Sequence, residues 1–226
     1  MTCVGIVGGL GVGATVHYYE KIAAACKARG VVPDLVFTHA DVDHGQSLVR
    51  EGKLEALAAY LADFIARMAR AGATAAAIPA VTPHICIQQL TPLLEIPLIN
   101  IVDVLAAELR ARRITRVALM GSVFTVQGSL WGQLAGVDIV KPQPEEIAFI
   151  GQAYQRILED RTAASDADGL RRIAANLQRR DGVETILLAG TDLAVIFDEA
   201  TAGFPSIDCA RVHIDAIVDW LSTGGR

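Results

Sequence analysis

Two short segments of the chain combine hydroxyl groups with a side chain that can exchange a proton. Residues 78–84 read IPAVTPH and place Thr82 two residues before His84, whereas residues 187–193 read LLAGTDL and place Thr191 directly before Asp192. Histidine titrates near neutral pH, and a carboxylate becomes a base there when burial raises its pKa. The two segments therefore predict general acid–base chemistry on a small molecule.

Polar residues at strand-to-helix turns have two possible roles. Backbone N–H groups at such turns can bind an anion, and Ser and Thr there also cap helices. Both roles stay open for Thr82, Thr191 and the pair Ser122 and Thr125. Asp192 could likewise cap a helix, pair with a histidine or act as a base. His84 and His213 could either orient turns by hydrogen bonding or carry protons.

The elements that must position these residues alternate between apolar runs and helical patterns. Strands are predicted near residues 3–7, 34–40, 74–78, 96–101, 116–120 and 184–189, and helices up to about residue 29 and near 54–68, 102–113, 145–160 and 210–221. Residues 39–44 and the rest of 141–169 are predicted as loops. This alternation predicts parallel sheets flanked by helices.

The second half of the chain repeats the plan of the first half. The strand at residues 4–7 runs into Gly8 and Gly9, as the strand at residues 116–120 runs into Gly121 and Ser122. We therefore predict an α/β fold of two pseudo-symmetric three-layer α/β/α domains with mainly parallel sheets and a ligand cleft between them. The expected bounds are residues 1–101 plus 209–226 for one domain and 102–208 for the other.

Composition excludes several other classes of protein. A chain of 226 residues that is 52% hydrophobic can bury a substantial core. Its net charge of -5 and scattered basic residues disfavour nucleic acid and anionic membrane partners. The absence of a long apolar run or a basic leader predicts a cytoplasmic location. The four cysteines, Cys3, Cys26, Cys86 and Cys209, lack the spacing of a metal site or disulfide framework, so free thiols are expected.

Three further segments complete a resemblance that runs along the whole chain. They are GIVGGLGVGATVHYYEKI at residues 5–22, MGSVFT at residues 120–125 and IDCARVH at residues 207–213. Together with the two segments above, in the same order, they resemble the aspartate/glutamate racemase superfamily, and aspartate racemases in particular. The resemblance implies a cofactor-independent enzyme, commonly a homodimer, in which each domain supplies one thiol.

The chain departs from that family pattern at the thiol positions, which hold Ala80 and Gly190. Two-base racemisation needs a proton carrier on each face of the α-carbon, and neither alanine nor glycine exchanges a proton. By the same resemblance, Val81 replaces an asparagine that supports the substrate's amino-acid head group. Asp192 replaces a glutamate, and Cys209 replaces a threonine near the cleft, where it is either a substrate-facing thiol or a buried small hydrophobe. The lost side chains predict a site enlarged at two points.

We therefore predict isomerase, decarboxylase or lyase chemistry at a carbon next to a carboxylate, without metal or cofactor. The expected catalytic residues are His84, Asp192 and Cys209, and the expected substrate-binding residues are Leu10, Thr82, Ser122, Thr125 and Thr191. The expected partner is a small carboxylate or amino-acid-like substrate.

Two alternatives remain open. One is an inactive paralogue that binds a small carboxylate or a partner protein. The other is an NAD(P)-binding oxidoreductase, because Gly9, Gly11 and Ala14 satisfy GxGxxA after the first strand, with Asp41 as the acidic residue after the second. His39, Asp41, Asp43 and His44 could also suit a metal, although a solvated loop is expected.

Overall fold

Strands and helices alternate along the chain, as the apolar pattern predicts. The computed structural model describes residues 2–197 and 199–225. Within these residues the strands are β1 Cys3–Gly8, β2 Asp34–His39, β3 Ala75–Ala77, β4 Arg116–Gly121, β5 Asp138–Val140, β6 Thr185–Ala189 and β7 Ser206–Asp208. The α-helices are α1 Val12–Ala28, α2 Val42–Arg50, α3 Leu54–Arg70, α4 Ile87–Leu90, α5 Ile101–Arg112, α6 Val123–Gly128, α7 Pro144–Leu158, α8 Ala164–Asp181 and α9 Cys209–Thr223. Short 3-10 helices span Thr82–Cys86, Thr91–Leu93, Ser129–Gly132 and Thr191–Val195.

The first compact unit, residues 2–101 and 213–225, contains a three-stranded sheet. Its strand order is β2-β1-β3, and both pairings are parallel. The pairing of β1 with β2 runs without a bulge from Cys3 opposite Asp34 to Gly8 opposite His39. The loops that follow these three strands therefore leave the same edge of the sheet.

The second compact unit, residues 102–197 and 199–212, contains a four-stranded parallel sheet in the order β5-β4-β6-β7. Its first three strands repeat the order of the first sheet, and an isolated parallel bridge from Ala76 to Leu98 lies beside β3 as β7 lies beside β6. The predicted α/β class with two parallel sheets is confirmed. The division between the units falls inside α9, at residue 213, four residues after the start expected from the sequence.

Close packing of α3 against β1 holds the core of the first unit together. The predicted helical spacing is realised, since Leu57, Leu61, Ile65 and Met68 are all buried. Met68 lies directly over Gly5, where an added Cβ would meet the Met68 Cβ at 2.9 Å. Glycine in this buried strand thus allows a helix to approach closely.

Three sequence predictions about local structure are wrong. Residues 96–101 form no strand beyond the single bridge at Leu98, because Pro97 has no N–H to donate and α5 begins at Ile101. The polar stretch after residue 163 forms α8, whose Asp166 accepts the backbone N–H of Ala163 and pairs with Arg156. A loop is expected at residues 39–44, but β2 ends at His39 and α2 already begins at Val42.

That second helix has a side-chain cap. The Asp41 carboxylate accepts the backbone N–H groups of Asp43 and His44, at 2.9 and 3.2 Å. Aspartate is a favoured N-cap because it satisfies otherwise unpaired donors of the first turn. Separately, no helix within residues 2–197 and 199–225 has both the length and the apolar character needed to span a membrane.

Substitution of Gly5 by alanine tests the packing of α3 on β1. We expect Gly5→Ala to lower the free energy of unfolding by about 1–3 kcal/mol, because its Cβ would overlap Met68. Gly45→Ala is the matched control: its Cβ would meet only Leu10, at 3.4 Å, inside a helix that favours alanine. Urea denaturation of both variants measures the difference. An equal effect of the two substitutions would contradict this account of the core.

Candidate functional site

The loop after β1 is built for close backbone approach. Gly9 has a φ of 87°, and a Cβ on it would lie 2.3 Å from the carbonyl oxygen of Ala40. Its N–H donates to the Thr15 hydroxyl at 3.1 Å, so the start of α1 holds the loop. Leu10, a predicted substrate contact, is half-buried in this loop. Packing against the end of β2 therefore accounts for glycine at residue 9.

The loop after β3 carries the first predicted acid–base residue. Residues 78–81 are buried. A 3-10 helix then begins at Thr82, has Pro83 in its first turn and includes His84. The fully buried His84 ring donates from Nδ1 to the carbonyl oxygen of Ala80 at 2.9 Å. Because a carbonyl can only accept, Nδ1 carries the proton and Nε2 is the basic nitrogen. Burial lowers the pKa of His84 to about 4, so the ring is neutral at pH 7.

His213 forms a buried hydrogen-bonded chain in the same unit. Its Nε2 donates to the carbonyl oxygen of Ile99 at 2.7 Å, so its Nδ1 accepts the Tyr18 hydroxyl at 3.0 Å. Burial, with a smaller contribution from the neighbouring His84, lowers the pKa of His213 to about 3, although the hydrogen bond to Ile99 acts to raise it. Tyr18 is not among the predicted site residues, although a hydroxyl on a buried helix face needs a partner.

In the second unit, the loop after β4 holds two predicted substrate-binding residues. The Ser122 hydroxyl caps α6 by accepting the backbone N–H of Thr125 at 3.2 Å, and the two side-chain hydroxyls lie 3.0 Å apart. The capping role proposed for Ser122 is therefore confirmed. Just before it, a Cβ on Gly121 would lie 2.4 Å from the Ala189 carbonyl oxygen. This close approach places the loop after β4 beside the loop after β6.

The loop after β6 carries a buried polar pair. Thr191 and Asp192 lie in the 3-10 helix that follows Gly190, and both are buried. The Asp192 carboxylate accepts the hydroxyl of Tyr154, on α7, at 3.1 Å. Burial and the charge of Asp192 raise the pKa of Tyr154 well above its usual value. Tyr154 was not predicted as a site residue, although its place on the buried face of a predicted helix was a possible signal.

The prediction of an enlarged site is wrong at residue 190. A Cβ added to Gly190 would lie 2.4 Å from Cε2 and 2.9 Å from Cζ of Tyr154. The tyrosine ring therefore already occupies the volume that a side chain on residue 190 would need. The space beside Gly190 is filled by Tyr154, a residue that is distant in sequence.

Cys209 begins α9 and is buried. Burial raises the pKa of its thiol, and the adjacent Asp208 carboxylate raises it further, so the group is a thiol at neutral pH. Burial also raises the pKa of Asp208 to about 6, although its carboxylate accepts the Ala210 N–H at 2.8 Å. Cys86 is fully buried beside Pro83. No group of three or more metal-ligating side chains occurs among the residues that the structure describes.

The fold and the five segments place the chain in a known family. The Asp/Glu/Hydantoin racemase family matches residues 7–217, so the chain belongs to that family. A candidate Asp/Glu racemase from Yersinia pestis superposes with a TM-score of 0.85 at 22% identity, covering 98% of this chain and 99% of the other. An aspartate racemase homologue from Pyrococcus horikoshii gives 0.80 at 22% identity, with 98% and 100% covered. Picrophilus torridus aspartate racemase gives 0.81 at 20% identity, with 98% and 94% covered.

The buried histidines should make stability depend on pH. Between pH 6.5 and about 4 an unfolded histidine binds more protons than folded His84 or His213, so acidification through this range favours unfolding. Each histidine contributes at most about 1.4 kcal/mol per pH unit. Asp208 acts in the opposite sense, because its raised pKa makes the folded state bind more protons between about pH 6 and 4.

Urea denaturation across pH 7 to 4 separates these contributions. Relative to the wild type, His84→Gln/His213→Gln should lose less stability on acidification. Asp208→Asn should lose more, since it removes the opposing term. Parallel curves for the three proteins would contradict the burial of these groups in their neutral forms.

Proposed function

We propose that this protein is a cofactor-independent enzyme that moves a proton at a carbon next to a carboxylate. Its substrate is a small acid or an amino-acid derivative, and its reaction is an isomerisation, decarboxylation or elimination rather than two-thiol racemisation. Membership of the Asp/Glu/Hydantoin racemase family supports the general class of chemistry. The choice within that class depends on the residues present in the loops after β3 and β6.

The observation that carries the proposal is the buried carboxylate at the second loop. Asp192 lies two residues after Gly190, is 4% exposed and accepts a hydrogen bond from Tyr154. A buried carboxylate costs folding free energy unless it is well solvated by donors. A carboxylate that is buried just beyond the carboxyl end of a parallel strand is a candidate base for carbon-acid chemistry.

His84 supplies a second proton-transfer group, in the first unit. Its hydrogen bond to Ala80 fixes the tautomer in which Nε2 accepts protons. Burial keeps this ring neutral at physiological pH, which suits a hydrogen-bond acceptor or a weak base. We propose His84 and Asp192 as the principal acid–base residues.

The other predicted residues have weaker or secondary support. Cys209 has the least, because burial raises the pKa of its thiol so far that it neither accepts nor readily releases a proton at neutral pH. Ser122 already caps α6, so its contact with a ligand would be additional to that role. Thr82, Thr125, Thr191 and Leu10 remain proposed ligand contacts.

A second candidate function is binding of a small carboxylate without turnover. The observation that favours it is the pair of residues Ala80 and Gly190, which the resemblance places at the thiol positions of the family. The two hypotheses differ in whether bound ligand exchanges its α-proton.

Deuterium exchange tests the proposal directly. The protein is incubated in heavy water with single enantiomers of aspartate and glutamate, their N-carbamoyl derivatives, and dicarboxylic acids without an ammonium group. Proton NMR should show loss of the α-proton signal for at least one compound. His84→Gln and Asp192→Asn should each slow that exchange by about a hundredfold or more, because positioned acid–base groups contribute on this scale.

Matched controls separate chemistry from folding. His17→Gln on α1 and Asp168→Asn on α8 remove the same side-chain types outside the proposed site and should leave exchange unchanged. Calorimetric binding of a carboxylate with no exchange would instead support the second candidate. Full exchange in both His84→Gln and Asp192→Asn would refute their assignment.

A further inference from the structure

The Tyr154 ring takes the space of a missing side chain. The carbon that bears its hydroxyl, Cζ, lies 2.9 Å from the position of a Cβ on Gly190, and Cε2 lies at 2.4 Å. The Tyr154 ring in its observed position therefore excludes any residue larger than glycine at position 190. Since φ at Gly190 is −146°, the backbone conformation does not itself require glycine there. The requirement comes chiefly from the ring, and the Gly121 Cα, 3.1 Å from the same Cβ position, adds to it.

The hydroxyl has a role beyond filling volume. Phenylalanine would fill the same space without burying an oxygen that must then find a partner. The Tyr154 hydroxyl donates to Oδ2 of Asp192, the residue two positions beyond Gly190. A hydrogen bond to a charged acceptor is stronger than a neutral one and is directional. The tyrosine hydroxyl thus orients the carboxylate and favours its ionised form.

Building on the proposed function, we propose that Tyr154 is the positioning residue of the loop after β6. Its ring replaces the side chain absent from residue 190, and its hydroxyl holds the Asp192 carboxylate as the base. The loop after β6 would then use the Asp192 carboxylate, held by the Tyr154 hydroxyl, as its base in place of a thiol. Tyr154 need not touch the substrate for this role.

The proposal predicts how Tyr154→Phe changes the protonation of Asp192. Removal of a hydrogen-bond donor raises the affinity of a carboxylate for protons, because the charged form loses its stabilisation. We expect the titration midpoint of the Asp192 carboxyl to rise by about 1 to 2 pH units, the equivalent of one hydrogen bond to a charged group. The acid limb of the exchange rate should move to higher pH by the same amount.

Carbon-13 NMR of aspartate side chains measures the midpoint without any substrate. The Asp192 signal is identified by its loss in Asp192→Asn. Tyr60→Phe is the matched control, because it also removes a hydrogen-bonded tyrosine hydroxyl. That hydroxyl bonds the backbone of Asp41 in the first unit, away from Asp192. The Asp192 midpoint of this control should equal that of the wild type. The exchange rate of Tyr154→Phe above the acid limb should fall by up to about a hundredfold, because a misplacement of the base by about 1 Å costs that much.

Gly190→Ala gives an independent test that keeps the tyrosine. Its Cβ must displace the ring, so the Asp192 midpoint should rise as it does in Tyr154→Phe. Midpoints that coincide with the wild type in both variants would overturn the role of Tyr154, whether or not exchange occurs. An absence of exchange in the wild type, with shifted midpoints in the variants, would refute the proposed function alone.

Discussion

Close approach of backbone at the carboxyl ends of parallel strands is the constraint on which the candidate site depends. At Gly9 and at Gly121 a Cβ would lie 2.3 and 2.4 Å from a carbonyl oxygen of the neighbouring strand end. Neither unit could bring its loops together in this way with a side chain at those positions. Glycine in these places is therefore a condition for the loops after β1 and β4 to meet their neighbours.

Burial then sets the protonation state of the groups that those loops carry. His84 and His213 are neutral because desolvation penalises their charged forms, and backbone carbonyls select their tautomers. The buried Asp192 carboxylate of the second unit accepts a hydrogen bond from the Tyr154 hydroxyl. Around the loops after β3 and β6, the buried titratable groups thus include the imidazole of His84, the thiol of Cys86, the carboxylate of Asp192 and the phenol of Tyr154.

Much of the fold could be predicted because apolar periodicity is a local signal. The helix α3 and the strand β6 follow directly from it, and so does the repeated plan of the two halves. The helix α8 was missed because its mean composition is polar and its stability comes partly from the pair Arg156–Asp166, a contact with another helix. The strand expected at residues 96–101 is reduced to a single bridge at Leu98, because Pro97 has no N–H to donate to the neighbouring strand.

The sequence by itself determined the family and the α/β class, because these depend on residue type and order, and it predicted Ala80 and Gly190 at the thiol positions of the family. Only the tertiary structure decided what surrounds them. The carbonyl of Ala80 accepts the hydrogen bond that fixes the His84 tautomer, whereas Gly190 packs against the Tyr154 ring. The physical reason is that side-chain volume and hydrogen-bond partners come from residues far apart in the chain, such as Tyr154 and Asp192, and no local pattern records their distance.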